Sequence, residues 1–366
     1  MEMTIGEVVN YLNTQIPLDL QEEYDNSGLQ VGDLACPLKG VLIAVDATEE
    51  VVQEAIERDC NLIVTHHPLL LKPLKRLGTT TYIERVVRSL VKNDVALYAA
   101  HTNLDNCKGG VNYKFAKLLG LTNVQTLQPM DDFLYKLIIY TPLSAAELIR
   151  QTLLKLGVGQ EGDYSGCSFS VEGDGRFRPS EHAHPYVGKA GEWHIEPEVA
   201  IYTMCIRPKL ASVLAALREV HPYEEPVMDI LPLRQNNREY GAGIIGDLPG
   251  DLSLEQFFSL LKSKLPVEVI RSSRPLKRAV RRVAFCGGSG AFLRTRAARL
   301  GADIFITGEA KYNDFYDATD DVTLCTIGHY ESEELTKRLL HEILSPKLAN
   351  FALCLSEYGQ NPIKYI

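Results

Sequence analysis

The sequence lacks the signals of membrane-inserted, secreted and zinc-ribbon proteins. No apolar run approaches the roughly 20 residues of a membrane span, and residues 1–4 have neither the basic region nor the apolar core of a signal peptide. The eight cysteines are scattered and form no C-x-x-C pair, so neither a zinc ribbon nor a redox motif of that type is indicated. These absences predict a cytoplasmic protein with reduced, structural cysteines.

Basic residues are fewer than acidic residues in this sequence. The formal net charge is −9, which disfavours a large nucleic-acid footprint. Residues 271–282 are a local exception, because they contain six basic residues and no acid. We interpret this run as a solvated linker face in preference to a phosphate-facing patch. Its basic members are Arg271, Arg274, Lys277, Arg278, Arg281 and Arg282.

Short apolar runs alternate with helical patterns at both ends of the chain, which predicts an α/β fold with parallel strands. Thr4 and Ser253 are candidate caps of helices, and Ser144 is a third in the middle region. The predicted strands are 41–45, 61–65 and 95–99 in the first part and 279–285, 303–307, 322–327 and 348–355 in the last.

The middle of the chain differs in character. Two strand-Pro-helix units begin at residues 136 and 199 and indicate a duplicated β-α-β module, as in ferredoxin-like folds. Residues 157–192 are rich in Gly, Ser, Asp and His and predict hairpins and a mobile loop. We therefore predict a first α/β lobe at 1–126, an inserted ferredoxin-like domain at 127–236 and a second α/β lobe at 237–366.

Three predicted strands end in residues that bind metals. Open parallel sheets place their sites outside the carboxyl ends of the strands, so these side chains can converge although they are distant in sequence. Each histidine alone is more often structural, but three such clusters together favour a metal site. They are His66 and His67 after 61–65, His101 and Asp105 after 95–99, and His329 and Glu333 after 322–327.

Imidazoles and carboxylates suit either a pair of divalent ions with bridging carboxylates or a single zinc with three ligands and water. His329 and Glu333 are four residues apart, so a helical turn would put both on one face. Neighbouring side chains on an extended backbone point in opposite directions. We therefore expect His66 and His67 to serve different ions, with a carboxylate bridging between them.

Three further motifs have structural interpretations. The run 287–290, Gly-Gly-Ser-Gly, matches no nucleotide-binding pattern and favours a tight turn, although it permits a phosphate ligand. The His/Glu cluster at 221–226 is flanked by prolines and favours a turn. Residues 24–32 predict a loop, and Asp25 in it could line a site.

Taken in order, five motifs make the chain resemble the Nif-three-like family, known as dinuclear metal centre proteins or GTP cyclohydrolase type 2 homologs. The resemblance covers essentially the full length. Its motifs are Asp25-Asn26-Ser27-Gly28-Leu29-Gln30-Val31-Gly32, Thr65-His66-His67-Pro68, His101-Thr102-Asn103-Leu104-Asp105, Ile306-Thr307-Gly308-Glu309 and Gly328-His329-Tyr330-Glu331-Ser332-Glu333.

The resemblance implies a metal centre between two similar α/β lobes and a homohexameric toroid. It also implies that the middle region is the insertion of longer members, similar to regulatory and copper-tolerance modules. The ions would be two divalent metals such as zinc, manganese or iron, which the sequence does not distinguish. The implied ligands are His66, His67, Asp105, His329 and Glu333.

One position departs from the family pattern. Many members carry a histidine near Asn313, and an amide cannot transfer a proton as imidazole does. His101 becomes the candidate for general-base work or for orienting a ligand.

Two hypotheses follow. The first is a metal-dependent hydrolase acting on a nucleotide-like substrate, with GTP indicated by the family name. The alternative is a non-catalytic metal-loaded ring that acts as a scaffold, a metal-storage or regulatory protein, or a single-strand nucleic-acid binder. The net charge weakens the nucleic-acid version, and no aromatic residue interrupts the run 271–282 to stack on a base.

Overall fold

The computed structural model describes residues 3–235, 237–275, 279–318 and 321–366. The chain forms two compact units, Met1–Pro129 with Arg238–Ile366, and Met130–Asn237. The predicted mixed α/β class is confirmed. Among the described residues, no helix combines the length and the apolar character of a membrane span.

The helices follow the apolar periodicity of the sequence. Thr4 and Ser253 each accept a hydrogen bond from the third residue of their helix, and both complete a capping box. The prediction that Ser144 caps a helix is wrong, because the chain makes a 3₁₀ turn over Leu143–Ala145 before the helix begins at Ala146. The helices are α1 (Ile5–Gln15), α2 (Glu49–Glu57), α3 (Tyr82–Lys92), α4 (Thr102–Asn106), α5 (Val111–Leu119), α6 (Ala146–Lys155), α7 (Arg207–Val220), α8 (Leu254–Lys264), α9 (Arg294–Arg299), α10 (Tyr312–Asp317), α11 (His329–Glu333) and α12 (Leu335–Leu344).

The strands divide among three sheets. They are β1 (Gly28–Val31), β2 (Gly40–Ala44), β3 (Leu62–Thr65), β4 (Ala96–Ala99), β5 (Thr122–Pro129), β6 (Leu134–Pro142), β7 (Ser168–Phe177), β8 (His194–Ile206), β9 (Met228–Leu233), β10 (Gly241–Leu252), β11 (Arg271–Ser272), β12 (Val280–Cys286), β13 (Ile304–Thr307), β14 (Thr323–Thr326) and β15 (Ala352–Leu355).

The unit formed by Met1–Pro129 and Arg238–Ile366 contains two of these sheets. One has the order β1-β4-β3-β2-β15, and its four strands β2, β3, β4 and β15 run parallel. The other has the order β11-β14-β13-β12-β10-β5, with parallel β12, β13 and β14. Strands β2, β3, β4, β13 and β14 are buried along their whole length, as expected when both faces of a sheet are covered.

One edge strand of each sheet comes from a part of the chain distant in sequence from the other strands of that sheet. β15, from the predicted lobe 237–366, pairs with β2 in the first sheet. β5, which begins within the predicted lobe 1–126, pairs with β10 in the second. Pairing in this way satisfies backbone groups that an open edge would leave exposed. The two predicted α/β lobes therefore exchange strands instead of standing as separate segments.

β1 is a strand that the sequence pattern missed. Residues 24–32 predicted a loop, yet Gly28–Val31 pair antiparallel with β4, with an irregularity between Leu29 and Val31. Glycine and polar residues lower strand propensity, so this strand depends on its neighbour in the sheet. The pairing holds the segment that contains Asp25 beside the end of β4.

The unit Met130–Asn237 has the element order β6-α6-β7-β8-α7-β9 and one antiparallel sheet, β7-β8-β6-β9. This is the element order of ferredoxin-like folds. α6 and α7 pack on one face of the sheet, where Leu137, Ile139, Val199 and Ile201 form the core with residues of both helices. His221 is buried and lies 3.0 Å through Nε2 from the Tyr140 carbonyl, in agreement with a structural turn.

The basic run 271–282 is only partly described, since Lys277 and Arg278 lie outside the described residues. Arg271 donates to Thr326 Oγ1 at 3.1 Å, and Arg281 lies 3.5 Å from Asp251. These contacts within the chain favour the interpretation as a solvated face.

The stacked pair Phe115 and Phe285 lies in the core of the six-stranded sheet, with ring centroids 3.6 Å apart. Phe285→Ala would leave a cavity beside Phe115, and we expect it to lower the free energy of unfolding by about 3–5 kcal/mol. Phe292→Ala is the matched control, because Phe292 is 67% exposed. Chemical denaturation of both variants measures the difference, and equal effects would contradict the assigned packing.

Candidate metal centre

His66 and His67 follow β3 directly and are held by the backbone. Both amide N–H groups donate to the Val45 carbonyl, at 3.1 and 3.0 Å. The His66 ring is fully buried, and its Nδ1 donates to the Ala100 carbonyl at 2.8 Å. This bond places the proton on Nδ1 of the neutral ring and leaves Nε2 as a ligand atom.

Glu333 is the carboxylate at the centre of the cluster. It lies in α11 one turn after His329, and its Oε2 is 3.1 Å from His329 Nε2. Oε2 is also 2.9 Å from His67 Nε2, while Oε1 is 3.6 Å from His66 Nε2. The two oxygens of one carboxylate therefore face different members of the adjacent histidine pair.

Asp105 completes the predicted set from the third strand end. It lies in the short helix α4, and its Oδ1 is 3.9 Å from His66 Nε2. His66 Nε2 and Asp105 Oδ1 are both buried without a hydrogen-bond partner among the described residues. Buried polar atoms are normally satisfied, so this pair is a candidate position for a cation.

His101 lies beside the cluster and is oriented by Asp25. The His101 Nδ1 donates to Asp25 Oδ1 at 2.7 Å. Asp25 also accepts from the backbone and the hydroxyl of Thr102, and from Asn26 N and Ser27 Oγ. Burial opposes ionisation of Asp25, but the hydrogen bonds from His101 and Thr102 outweigh it and lower the pKa of Asp25. The aspartate is therefore a fixed anion that sets the direction of the His101 ring.

Two further carboxylates orient histidines. Glu309 belongs to one of the five family motifs, but the sequence assigned no role to it or to Asp46. Asp46 Oδ1 accepts from His67 Nδ1 at 2.8 Å, and Glu309 Oε1 lies 3.3 Å from His329 Nδ1. Carboxylates on the far ring nitrogen commonly fix metal-binding histidines. Asp46 follows the buried strand β2, and that placement was the available sequence signal.

The glycine turn 287–290 packs directly against Glu333. A Cβ on Gly288, whose φ is +58°, would lie 2.3 Å from Glu333 Oε1. Gly288 N donates to Ser332 Oγ and Gly290 N to Thr307 Oγ1. The turn therefore needs glycine for close approach, and its side-chain partners occupy amides that a phosphate would use.

Burial and interactions with neighbouring charged groups shift the pKa values of the cluster in opposite directions. Burial lowers the pKa of His67, but hydrogen bonds to Asp46 and Glu333 outweigh it and raise the pKa to about 10. Burial would raise the pKa of Glu333, yet His66 and the other imidazoles hold it well below its usual range. Burial raises the pKa of Asp105 against the opposing effect of His66.

All five predicted ligands and His101 lie in this cluster. Ligand atoms of His66, His67 and His101 lie within 4.8 Å of one another, as do those of His67, His329 and Glu333. Imidazole and carboxylate donors in this arrangement can hold metal ions such as zinc, manganese or iron. Asn313 lies in α10 and is exposed.

The sequence model of the family Duf34/NIF3 (NGG1p interacting factor 3) matches residues 3–362. The chain belongs to this family. A solved Bacillus cereus protein related to NIF3 is 35% identical, with a TM-score of 0.87 and full coverage of both chains. A Staphylococcus aureus protein has a TM-score of 0.76 at 32% identity and covers 100% of this chain and 99% of that one. The resemblance read from the five motifs is confirmed.

Two relatives of this NIF3 family chain are named GTP cyclohydrolase 1 type 2 homolog. The one from Staphylococcus epidermidis is 35% identical over 368 residues, 99% of this chain and all of the relative. The one from Bacillus subtilis is 36% identical over 350 residues and 94% of each chain. The similarity therefore spans both structural units of this NIF3 protein.

Gly288→Ala is expected to weaken metal binding of this NIF3 protein at least tenfold, because the added methyl displaces Glu333. Gly250→Ala is the control, since a Cβ there meets nothing within 4 Å. Titration of metal-free protein with Zn²⁺ against a competing chelator measures both affinities. Unchanged affinity in Gly288→Ala would contradict Glu333 as a ligand.

The metal-free protein should lose stability at alkaline pH. The pKa of His67, about 10, exceeds that of an unfolded histidine, about 6.5. Protonated His67 therefore stabilises the fold fully below the unfolded value, and this contribution disappears as the pH rises through about 10. We expect the free energy of unfolding to fall over this window, and less steeply in Asp46→Asn. Denaturation at stepped pH measures both slopes, and equal slopes would refute the role of Asp46.

Proposed function

We propose that the protein is a dinuclear metal-dependent hydrolase that acts on a nucleotide-like substrate. The five ligands would be His66, His67, Asp105, His329 and Glu333. The proposal agrees with relatives named GTP cyclohydrolase 1 type 2 homolog. We further propose, from the family resemblance, that six chains assemble into a toroid.

The observation that carries the proposal is the pair of unsatisfied buried atoms, His66 Nε2 and Asp105 Oδ1. Leaving such atoms unpaired costs about 1–3 kcal/mol each. A divalent cation that bound both would remove this penalty. The Nδ1 bond to Ala100 already turns the His66 lone pair towards that position.

The geometry of Glu333 supports two ions instead of one. Its Oε1 faces His66, and its Oε2 faces His67 and His329. One ion would be held by His66, Asp105 and Glu333, and the other by His67, His329 and Glu333. Glu333 would then bridge the ions while each member of the adjacent histidine pair served a different one.

The bound ions would supply a water of lowered pKa and would polarise the bond to be hydrolysed. Residues of the chain would orient the histidines of the centre and transfer protons. Asp25 holds His101 through Nδ1, which leaves Nε2 free to accept a proton from water and return it to a leaving group. Asp46 and Glu309 would keep His67 and His329 turned towards the centre.

A cavity of about 430 Å³ beside these residues indicates the substrate class. Its volume is in the range of small-molecule sites, and its wall includes the exposed rings Tyr24 and Phe292. Among the described lining residues none is Lys or Arg. These features favour a flat heterocycle packed against the rings, with hydrolysis of a ring C–N bond, over tight binding of a triphosphate by the protein itself.

Replacement of the ligands and of His101 should separate metal binding from catalysis. We expect two metal ions per chain and hydrolysis of GTP or guanosine by protein loaded with zinc, manganese or iron. Glu333→Gln and Asp105→Asn should lose metal and activity together. His101→Gln should retain both ions and lose about 10²–10⁴-fold in rate. Elemental analysis and product chromatography measure the two quantities.

His182→Gln is the matched control, because His182 is exposed and lies outside the cluster. Activity that survives in metal-stripped Glu333→Gln and Asp105→Asn would refute the metal-dependent hydrolase. A full metal content without hydrolysis would favour the non-catalytic alternative, a metal-loaded scaffold, storage or regulatory protein.

A further inference from the structure

A second and larger cavity, of about 860 Å³, lies entirely within the unit Met130–Asn237. It lies on the sheet face opposite α6 and α7. Leu137, Ile139 and Val199 point to the helices, so the alternating residues Tyr140 and Ala200 point into the cavity. Its volume is in the range of pockets for small molecules, and none of the predicted metal ligands lines it.

Two glycines of β7 leave space at the base of this cavity because they have no side chains. Gly173 pairs with Glu198, and Gly175 pairs with Glu196 on the neighbouring strand β8. A Cβ on Gly175 would lie 2.2 Å from the carboxyl carbon of Glu198. The Glu198 carboxylate therefore lies over a glycine surface that any larger residue would fill.

Aromatic rings form the wall. The Tyr223 ring centroid lies 6.1 Å from that of Phe177 and 6.2 Å from that of Tyr186. Tyr140 and Tyr202 add two rings from the sheet. Aromatic faces attract cations within about 6 Å of the centroid, and Lys136 Nζ already lies 6.0 Å from the Tyr202 centroid.

Carboxylates are built into this aromatic wall. Tyr223 donates its hydroxyl proton to Glu198 Oε1 at 2.7 Å, and Tyr140 donates to Asp229 Oδ2 at 3.0 Å. The bond to Asp229, together with burial, raises the pKa of Tyr140, so its hydroxyl stays a donor. Each tyrosine thus fixes a carboxylate through one oxygen. The second oxygen accepts no hydrogen bond from the described residues and can face a ligand.

Arg176 and Arg178 also line the cavity, but neither forms an ion pair with these acids among the described residues. Arg176 pairs with Ile195 and alternates with Gly175, so its side chain points to the opposite face of the sheet. Arg178 donates through Nε to the Gly191 carbonyl at 2.7 Å. The cavity therefore combines negative charge with aromatic faces, which disfavours anions such as nucleotides.

We propose that this cavity binds an organic ammonium compound, with its cationic group between Glu198 and the rings of Tyr186 and Tyr223. Aromatic faces and carboxylates are the groups that recognise alkylammonium ions in proteins. The site is separate from the metal centre in residues and in ligand charge, so it stands whether or not the protein is a hydrolase.

The test uses isothermal titration calorimetry on the full chain in its metal-loaded form. Spermidine is the probe, 1,8-octanediol tests the need for positive charge, and benzenesulfonate, an aromatic anion that is not a nucleotide, tests negative charge. We expect spermidine to bind and the other two to show no heat of binding. Glu198→Gln and Tyr186→Leu should each weaken spermidine binding at least tenfold, while Tyr186→Phe should retain it.

Glu219→Gln is the matched control, because Glu219 is an exposed acid on α7, outside the cavity lining. It removes the same charge and should leave spermidine binding unchanged. Circular dichroism verifies that each variant is folded. Absence of spermidine binding, equal weakening in Glu219→Gln and Glu198→Gln, or preferential binding of benzenesulfonate would each overturn the proposal.

Discussion

The structure around the candidate metal centre depends on one buried carboxylate, that of Glu333. A buried anion is costly unless it is paired, and here three imidazoles face its two oxygens. The backbone on its other side must also approach closely, which explains the glycine at position 288. Burial of Glu333 therefore constrains both the ends of the strands and the turn that packs against them.

The exchange of edge strands holds these parts together. β15 joins the sheet that carries His66 and His67, although it follows Glu333 in the chain. β5 joins the other sheet and follows α4, which supplies Asp105, with only α5 between them. Because each sheet contains strands from both parts of the chain, separating the strand ends would require breaking backbone hydrogen bonds in both sheets. The geometry of the site is thus supported by the topology of the unit.

Acidic side chains line both cavities, but the side chains that contact them differ. This difference favours a different class of cation in each cavity. At the metal centre, carboxylates meet imidazoles whose nitrogen lone pairs can coordinate a cation. In the unit Met130–Asn237, carboxylates meet phenol hydroxyls and ring faces, which fix the acids without supplying metal ligands. The first arrangement favours divalent ions, and the second favours larger organic cations.

The sequence alone predicts the α/β class, the capped helices that begin after Thr4 and Ser253, and six candidate side chains of the metal centre near three strand ends. These are local patterns, set by periodicity, capping groups and the direction of parallel strands. Three features follow only from contacts in the folded chain: β1 is a strand, β5 and β15 join distant sheets, and Asp46 and Glu309 orient His67 and His329. Those features depend on contacts between residues far apart in the chain, which local propensity does not encode.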